Sequence, residues 1–336
     1  MTSTAALADG IRRVARAPAI LIGVWIVTLA VSVPLALGLR SLLRDHLGES
    51  MAADAALTGV NYEWWQEFSD QAAGLGVTFR PTIIGFGAVL DNLSGFLDND
   101  HRPIVIVGAA VAYVVIWIFV AGGIIDRFAR ERSTRSYGFF AVSGTFFFRF
   151  LRLAVVMWIV YGILFRVVHP WLFGEAVSGR LTRELTVERT AFFINVALYV
   201  VFGALLAACN LVFDYAKVRA VVEDRRSRLG AIRAAIGFIR TNASAAASLY
   251  MLDFALFLLT IAVYAVIAPG AGGGGISIWI GLAIGQLYIL ARLWVKLVFW
   301  ASETALFQGR LAHAGYVAAP KPVWPDSPTA EAIRRS

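Results

Sequence analysis

Between Cys209 and Ser244 one apolar run ends at Phe213, the chain turns, and a second apolar run begins. The turn carries seven basic side chains, Lys217, Arg219, Arg225, Arg226, Arg228, Arg233 and Arg240. Basic connections beside apolar spans stay on the cytoplasmic side of a membrane, so this bend predicts two spans that both open inward. Every other segment can be placed by counting outward from it.

The composition agrees with a membrane chain. Of 336 residues 59% are hydrophobic and 15% are charged, with a mean hydropathy of +0.72. Soluble domains hold about 45–50% apolar and about 25% charged residues. The net charge of +8 sits in clusters that each abut an apolar run. That arrangement suits anionic lipid headgroups and excludes nucleic acid as the partner. A lone cysteine, Cys209, excludes an internal disulfide and any multi-cysteine metal site. The expected fold class is all-α: a polytopic integral membrane helical bundle of about six transmembrane helices, with cytoplasmic interfacial helices and a helical exterior segment.

Residues 1–18 place Leu7, Ile11 and Val14 at helical spacing with Arg12, Arg13 and Arg16 on the flanks, which predicts an amphipathic helix on the cytoplasmic surface. The run 19–39 is too long for the apolar core of a signal peptide and is taken as an uncleaved first span, kinked near Pro34. Residues 40–102 hold nine acidic and four basic side chains, which places them outside. Within them Tyr62, Trp64, Trp65 and Phe68 predict a helix at headgroup level, and the stretch after Pro81 predicts a surface or re-entrant helix that packs on the bundle.

The second span is 104–125, followed by a cytoplasmic basic loop and interfacial helix at 126–150. The third is 151–168 and the fourth 192–213. The organising bend, 214–244, ends in a second interfacial helix from Leu229 to Arg240, predicted to lie flat on the inner leaflet. The fifth span, 245–268, turns through PGAGGGG into the sixth, 276–300, and 301–336 is read as a cytoplasmic tail. With charged residues near span ends counted to the nearer face, 22 of the 30 Lys and Arg fall inside and 8 outside. Both termini are therefore expected inside.

A weak repeat runs through this order. Asp126–Arg149 and Asp214–Arg240 each begin with Asp at a span exit, continue through basic residues and end in an amphipathic helix feeding the next span. Residues 7–18 match the last part of that unit. Three copies of a surface helix plus two spans account for the chain, an organisation found where transport sites lie at repeat interfaces.

The pattern VVEDRRSRLGAIR at Val221–Arg233 resembles the membrane domain attached to some bacterial glycerophosphodiester phosphodiesterases, and related uncharacterised six-span bacterial proteins. The resemblance covers that short motif, and no soluble phosphodiesterase domain follows it. It implies a multi-pass protein of the bacterial cytoplasmic (inner) membrane, with no catalytic residue to carry over.

Chemistry-bearing motifs are few. His46, His101, His169 and His313 have no metal-ligand spacing, and the glycines of 270–275 lack the Lys and Ser or Thr of a phosphate loop. No cofactor is expected. Asp98, Asn99, Asp100 and His101 read as a solvated turn. Polar groups inside spans are more informative, because each costs about 2.5–3.5 kcal/mol on insertion scales and usually faces a bundle interior. The candidate site residues are Asp253, Arg292, Asn195, Tyr199 and Tyr288. Asp253 and Arg292 lie at matched depth from the predicted cytoplasmic ends of spans five and six, and are expected to form a buried ion pair. Arg226, Arg233 and Arg240 are the candidates for binding lipid headgroups.

The favoured function is a non-enzymatic membrane component for transport or lipid handling with a polar intramembrane site. The alternative is a membrane scaffold or partner subunit that binds another protein and anionic lipid. An exterior-face enzyme using Asp91, Asp98, Asp100 or His101 comes third.

Overall fold

The computed structural model describes residues 1–48, 52–54, 61–81, 83–131, 135–224, 227–270 and 275–310. The fold among them is helical throughout, with six helices long and apolar enough to cross a membrane. The protein is a polytopic helical membrane bundle.

Helix α1 (Ser3–Ala15) begins at Thr2, whose hydroxyl accepts from the Ala5 amide, and ends before Pro18. Pro18 opens α2 (Pro18–Leu47), the first span, where its missing N–H costs nothing. The opposite face carries α3 (Tyr62–Gln71), capped by Asn61, and α4 (Phe86–Leu97). The return span is α5 (Ile104–Arg130), followed by α6 (Ser136–Ile163), which continues through a π-helical stretch at Leu164–Val168 into the short α7 (His169–Phe173). After a second π turn and α8 (Arg180–Thr182) come α9 (Glu188–Val222), α10 (Arg228–Thr241), α11 (Ala243–Ile267) and α12 (Ile276–Arg310).

Several expected boundaries move. The interfacial helix predicted at 136–150 and the third span form one unbroken helix, α6, because nothing between Phe146 and Leu151 breaks the backbone ladder. The predicted spans end too early at Phe213 and Trp300. α9 continues to Val222 and α12 to Arg310, and the 35 residues of α12 run about 52 Å, far beyond a hydrocarbon core of about 30 Å. Residues 301–307, expected in a cytoplasmic tail, are core: Ala301, Leu306 and Phe307 are fully buried. Residues 308–310 complete the helix, and 311–336 lie outside the described residues.

The repeat is visible as a ring of contacts. Helix α10 lies on α9, the basic-face half of α6 lies on α5, and α1 lies on α12. Each amphipathic helix thus packs on the returning span of the unit before it, and the first closes on the last. Small residues make the close approaches. A Cβ on Gly10 would stand 2.7 Å from the Ser302 backbone nitrogen, and one on Gly122 would meet Phe146.

One face of each surface helix is therefore covered by protein, where the sequence pattern predicts lipid. Ala6 and Val14 of α1 are buried, and Ser3 Oγ donates to the Ala245 carbonyl at 3.0 Å. Arg13 is only 8% exposed; it donates to the Phe128 carbonyl at 2.8 Å and Gln308 at 2.7 Å, and pairs with Asp9 and Glu131. In α10 the buried stripe is Ala231, Ala235 and Phe238, while Ile236 is exposed, because alanines allow the closer approach to α9. The predicted face of Leu229, Ile232, Ile236 and Ile239 is thereby turned. Ile232 and Ile239 flank the contact, and the side chain of Leu229 lies outside the described residues.

Two large apolar clusters draw on all six spans and α1 and α10, and both occupy the half of the bundle nearer the basic bends. The other half holds one small cluster around Phe202, ringed by Phe165, His169 and Phe173. There α4 packs on the bundle, as expected. Phe96 meets Phe165 at 5.1 Å, and Gly85, at φ +56°, lies against the Pro269 carbonyl. The aromatic residues of α3 form a miniature core: Phe68 is buried between His46 and Phe79, and Trp64 Nε1 donates to His46 Nδ1 at 3.1 Å.

Candidate functional site

Residues from all six spans line one partly open cavity of about 930 Å³. Thr28, Val31 and Leu35 come from α2, Ile106, Tyr113 and Trp117 from α5, and Phe150 and Tyr161 from α6. Asn210, Asp214 and Lys217 come from α9, Tyr250 from α11, and Arg292 and Lys296 from α12. The charges gather where the cavity meets the packed half. Towards the opposite face its walls are apolar but for Ser32.

The polar floor is ordered by its own contacts. Asp214, 4% exposed, accepts from Lys217 Nζ at 2.7 Å and from Asn210 Nδ2 at 2.9 Å; that amide also stands 3.2 Å from the Tyr250 hydroxyl. Lys296 Nζ sits 3.5 Å from the centre of the Trp117 ring and 5.8 Å from that of Trp300. Lys217 lies over the same Trp300 ring at 5.5 Å. Indole faces hold ammonium groups through the ring quadrupole. Arg292 rests near the Tyr288 ring at 5.7 Å, and Tyr288 stacks on Tyr264 at 4.0 Å. Both Arg292 and Lys296 keep exposed surface deep in the bundle because the cavity reaches them.

Behind this floor lie two more carboxylates that do not line the cavity. Asp253 is fully buried and accepts from Ser302 Oγ at 2.8 Å through one oxygen; its other oxygen has no partner among the described residues. Glu303 is 1% exposed, and neither of its oxygens has a hydrogen-bond partner there. Among the described residues no group of three or more His, Cys, Asp or Glu stands ready to hold a metal ion.

The predicted ion pair of Asp253 with Arg292 does not form. Along the α11–α12 hairpin Pro269 lies beside Gly281, Tyr264 on Tyr288 and Asp253 on Ser302. The depths match only for a sixth span that ends at Trp300, but α12 ends at Arg310. That displacement of ten residues, about 15 Å, is the separation between Arg292 and Ser302 along the helix.

Of the five predicted intramembrane residues, Arg292 lines the cavity and Tyr288 supports it, while Asp253 stands behind it. Asn195 and Tyr199 belong to the opposite face. Asn195 Oδ1 accepts from Ser178 Oγ at 2.8 Å, and the Tyr199 hydroxyl donates to Asp98. Asp98 is held below the usual carboxylate range, first by that hydrogen bond and then by one from Ser94 at 2.7 Å, with His169 adding a smaller favourable charge. Arg233 and Arg240 are exposed on one side of α10 with Ile236 between them, and Arg226 lies outside the described residues. Sequence inspection leaves Asp214 and Lys217 in the basic bend, and sets Lys296 on one stripe with Arg292 without making it a candidate. One signal marks the two lysines: the chain has only three lysines against 27 arginines, and two of the three line this cavity.

The chain matches no protein-family model, no curated protein and no solved structure.

Proposed function

We propose that this membrane protein handles an amphipathic small molecule or lipid, drawn into the six-span cavity, as a non-enzymatic transport or lipid-handling component. The observation that carries the proposal is the polarity of that cavity: aliphatic walls from α2 and α5 meet an ordered floor of Asn210, Asp214, Lys217, Arg292 and Lys296. A purely structural polar core would be closed by its own side chains, and this one leaves about 930 Å³ between them. Volumes of roughly 300–1,000 Å³ with a few convergent polar groups are typical of ligand sites.

In the proposed setting the protein spans a bacterial cytoplasmic membrane with both termini inside. The basic bends and the resemblance at Val221–Arg233 support this. A cysteine at position 233 in a Cys209→Ala background should be labelled only after cells are opened. Labelling in intact cells would invert the topology.

The test of function is occupancy. Ala110→Trp, which fills the aliphatic part of the cavity, should remove an amphiphile that co-purifies with the wild-type chain and is identified by mass spectrometry. Unchanged retention would move the working surface elsewhere. The scaffold alternative is supported by the exposed strip of Arg233, Ile236 and Arg240, which presents charge and an aliphatic side chain to a partner protein or anionic lipid surface. That strip would then be the functional site, and Arg233→Gln/Arg240→Gln the damaging variant.

A further inference from the structure

We propose that the occupant of the cavity is a membrane lipid with an anionic headgroup, its head seated on Arg292 and Lys296 and its chain lying along α2 and α5. This rests on the amphiphile-handling function above and names its substrate class.

The charges of the cavity wall do not balance. Both oxygens of Asp214 are engaged, one by Lys217 and one by Asn210, so Lys217 has its counter-charge. Asp253 bonds to Ser302, and neither it nor Glu303 lines the cavity. Arg292 and Lys296 therefore face the cavity with no carboxylate in ion-pair contact among the described residues. Their aromatic neighbours hold the cations in place without neutralising them. The two stand four residues apart on α12, on the same face one turn from each other, so both reach a single head. A guanidinium beside an ammonium suits a phosphate, with the planar fork giving two hydrogen bonds and the ammonium a point charge.

The rest of the cavity fits a chain. Its lining on α5 runs from Ile106 to Ala121, about 22 Å along the helix. Half a hydrocarbon core is about 15 Å, so the groove is long enough for a chain from one leaflet. Ala109 and Ala110 keep it open, and Val31 and Leu35 of α2 form the facing wall. A free anion would occupy the floor alone and leave this aliphatic length uncovered.

The experiment offers the delipidated full chain equal amounts of a phosphatidylglycerol and a phosphatidylcholine with the same acyl chains, and reads retained lipid by native mass spectrometry. The expected result is a preference of about tenfold for the phosphatidylglycerol, equivalent to about 1.4 kcal/mol. It should fall to parity in Arg292→Gln/Lys296→Gln and persist in Arg233→Gln/Arg240→Gln. Excess inorganic phosphate should not displace the lipid; displacement would assign the floor to a free anion instead. Equal retention of the two lipids by the wild-type chain overturns the anionic assignment and leaves an amphiphile-handling cavity standing. Failure of that broader function shows separately, as retention of both lipids untouched by Ala110→Trp. If the double glutamine variant does not fold, Lys296→Met carries the test, and an undiminished preference in the folded variant overturns the proposed seat.

Discussion

The two halves of the bundle are built on different principles. Nearer the basic bends, α1, α5, α9, α10 and α12 bury side chains against one another, and Ile124, Tyr215, Leu297 and Phe307 have no exposed surface. Towards the opposite face α6, α9 and α12 turn Ile159, Phe192, Val200 and Trp279 outward, each more than half exposed. Lipid tails are as apolar as these side chains, so the second half gains little by closing. The first half must close, because it holds Asp253 and Glu303 away from both lipid and water. The cavity occupies the change from one regime to the other.

The contrast can be broken most severely at a helix crossing. Gly10→Leu puts a side chain into the Ser302 backbone and should cost about 3 kcal/mol, whereas Gly108→Leu, with nothing within 4 Å of its Cβ position, should leave thermal stability in detergent unchanged. Equal effects would show that the halves are packed alike. Arg13→Met removes the contacts to Phe128, Gln308, Asp9 and Glu131 together, and a loss of about 2–3 kcal/mol is expected from chemical denaturation. Ser302→Ala takes the Ser302 hydrogen bond from the buried Asp253, for about 1–2 kcal/mol. Because Asp253 and Arg292 do not touch, Asp253→Asn and Arg292→Gln should add in the double variant to within about 0.5 kcal/mol, as separate sites do. A strongly coupled cycle would restore the ion pair that the hairpin register denies.

The smallest effect belongs to the open half and depends on pH. The carboxyl of Asp98 has its folded pKa depressed, chiefly by the Tyr199 hydroxyl. Its contribution to stability is present above the unfolded value of about 3.9 and is lost as pH falls through the lower folded value. Tyr199→Phe should therefore lower the melting temperature slightly at pH 7, and the gap to wild type should narrow on acidification. A gap that widens in acid would contradict the assigned hydrogen bond.

Hydropathy located all six spans, because each run of apolar residues has to cross the hydrocarbon whatever it packs on. It could not locate where the helices stop. Asp214 follows Phe213 directly and Glu303 stands three residues after Trp300, so each looks like the end of a span; in the structure both are buried within continuing helices. The α11–α12 register was lost with the true end of α12. The apolar stripe of α1, Leu7, Ile11 and Val14, reads alike whether lipid or protein covers it. The Ser302 backbone opposite Gly10 shows that protein does.

The ring of helices also sets an order of events. During synthesis α1 emerges before the six spans described above, yet its seat on α12 is the last part of the described fold to be made. Until then it has the membrane surface and its earlier partners to rest on, α5 through Arg13 and α11 through Ser3. When α12 arrives, Gly10 and Arg13 engage Ser302 and Gln308, and the start and finish of the bundle become one piece. Assembly of the pocket is thus timed by the arrival of its last wall: Arg292 and Lys296, which complete the floor, enter on the same helix that draws α1 down.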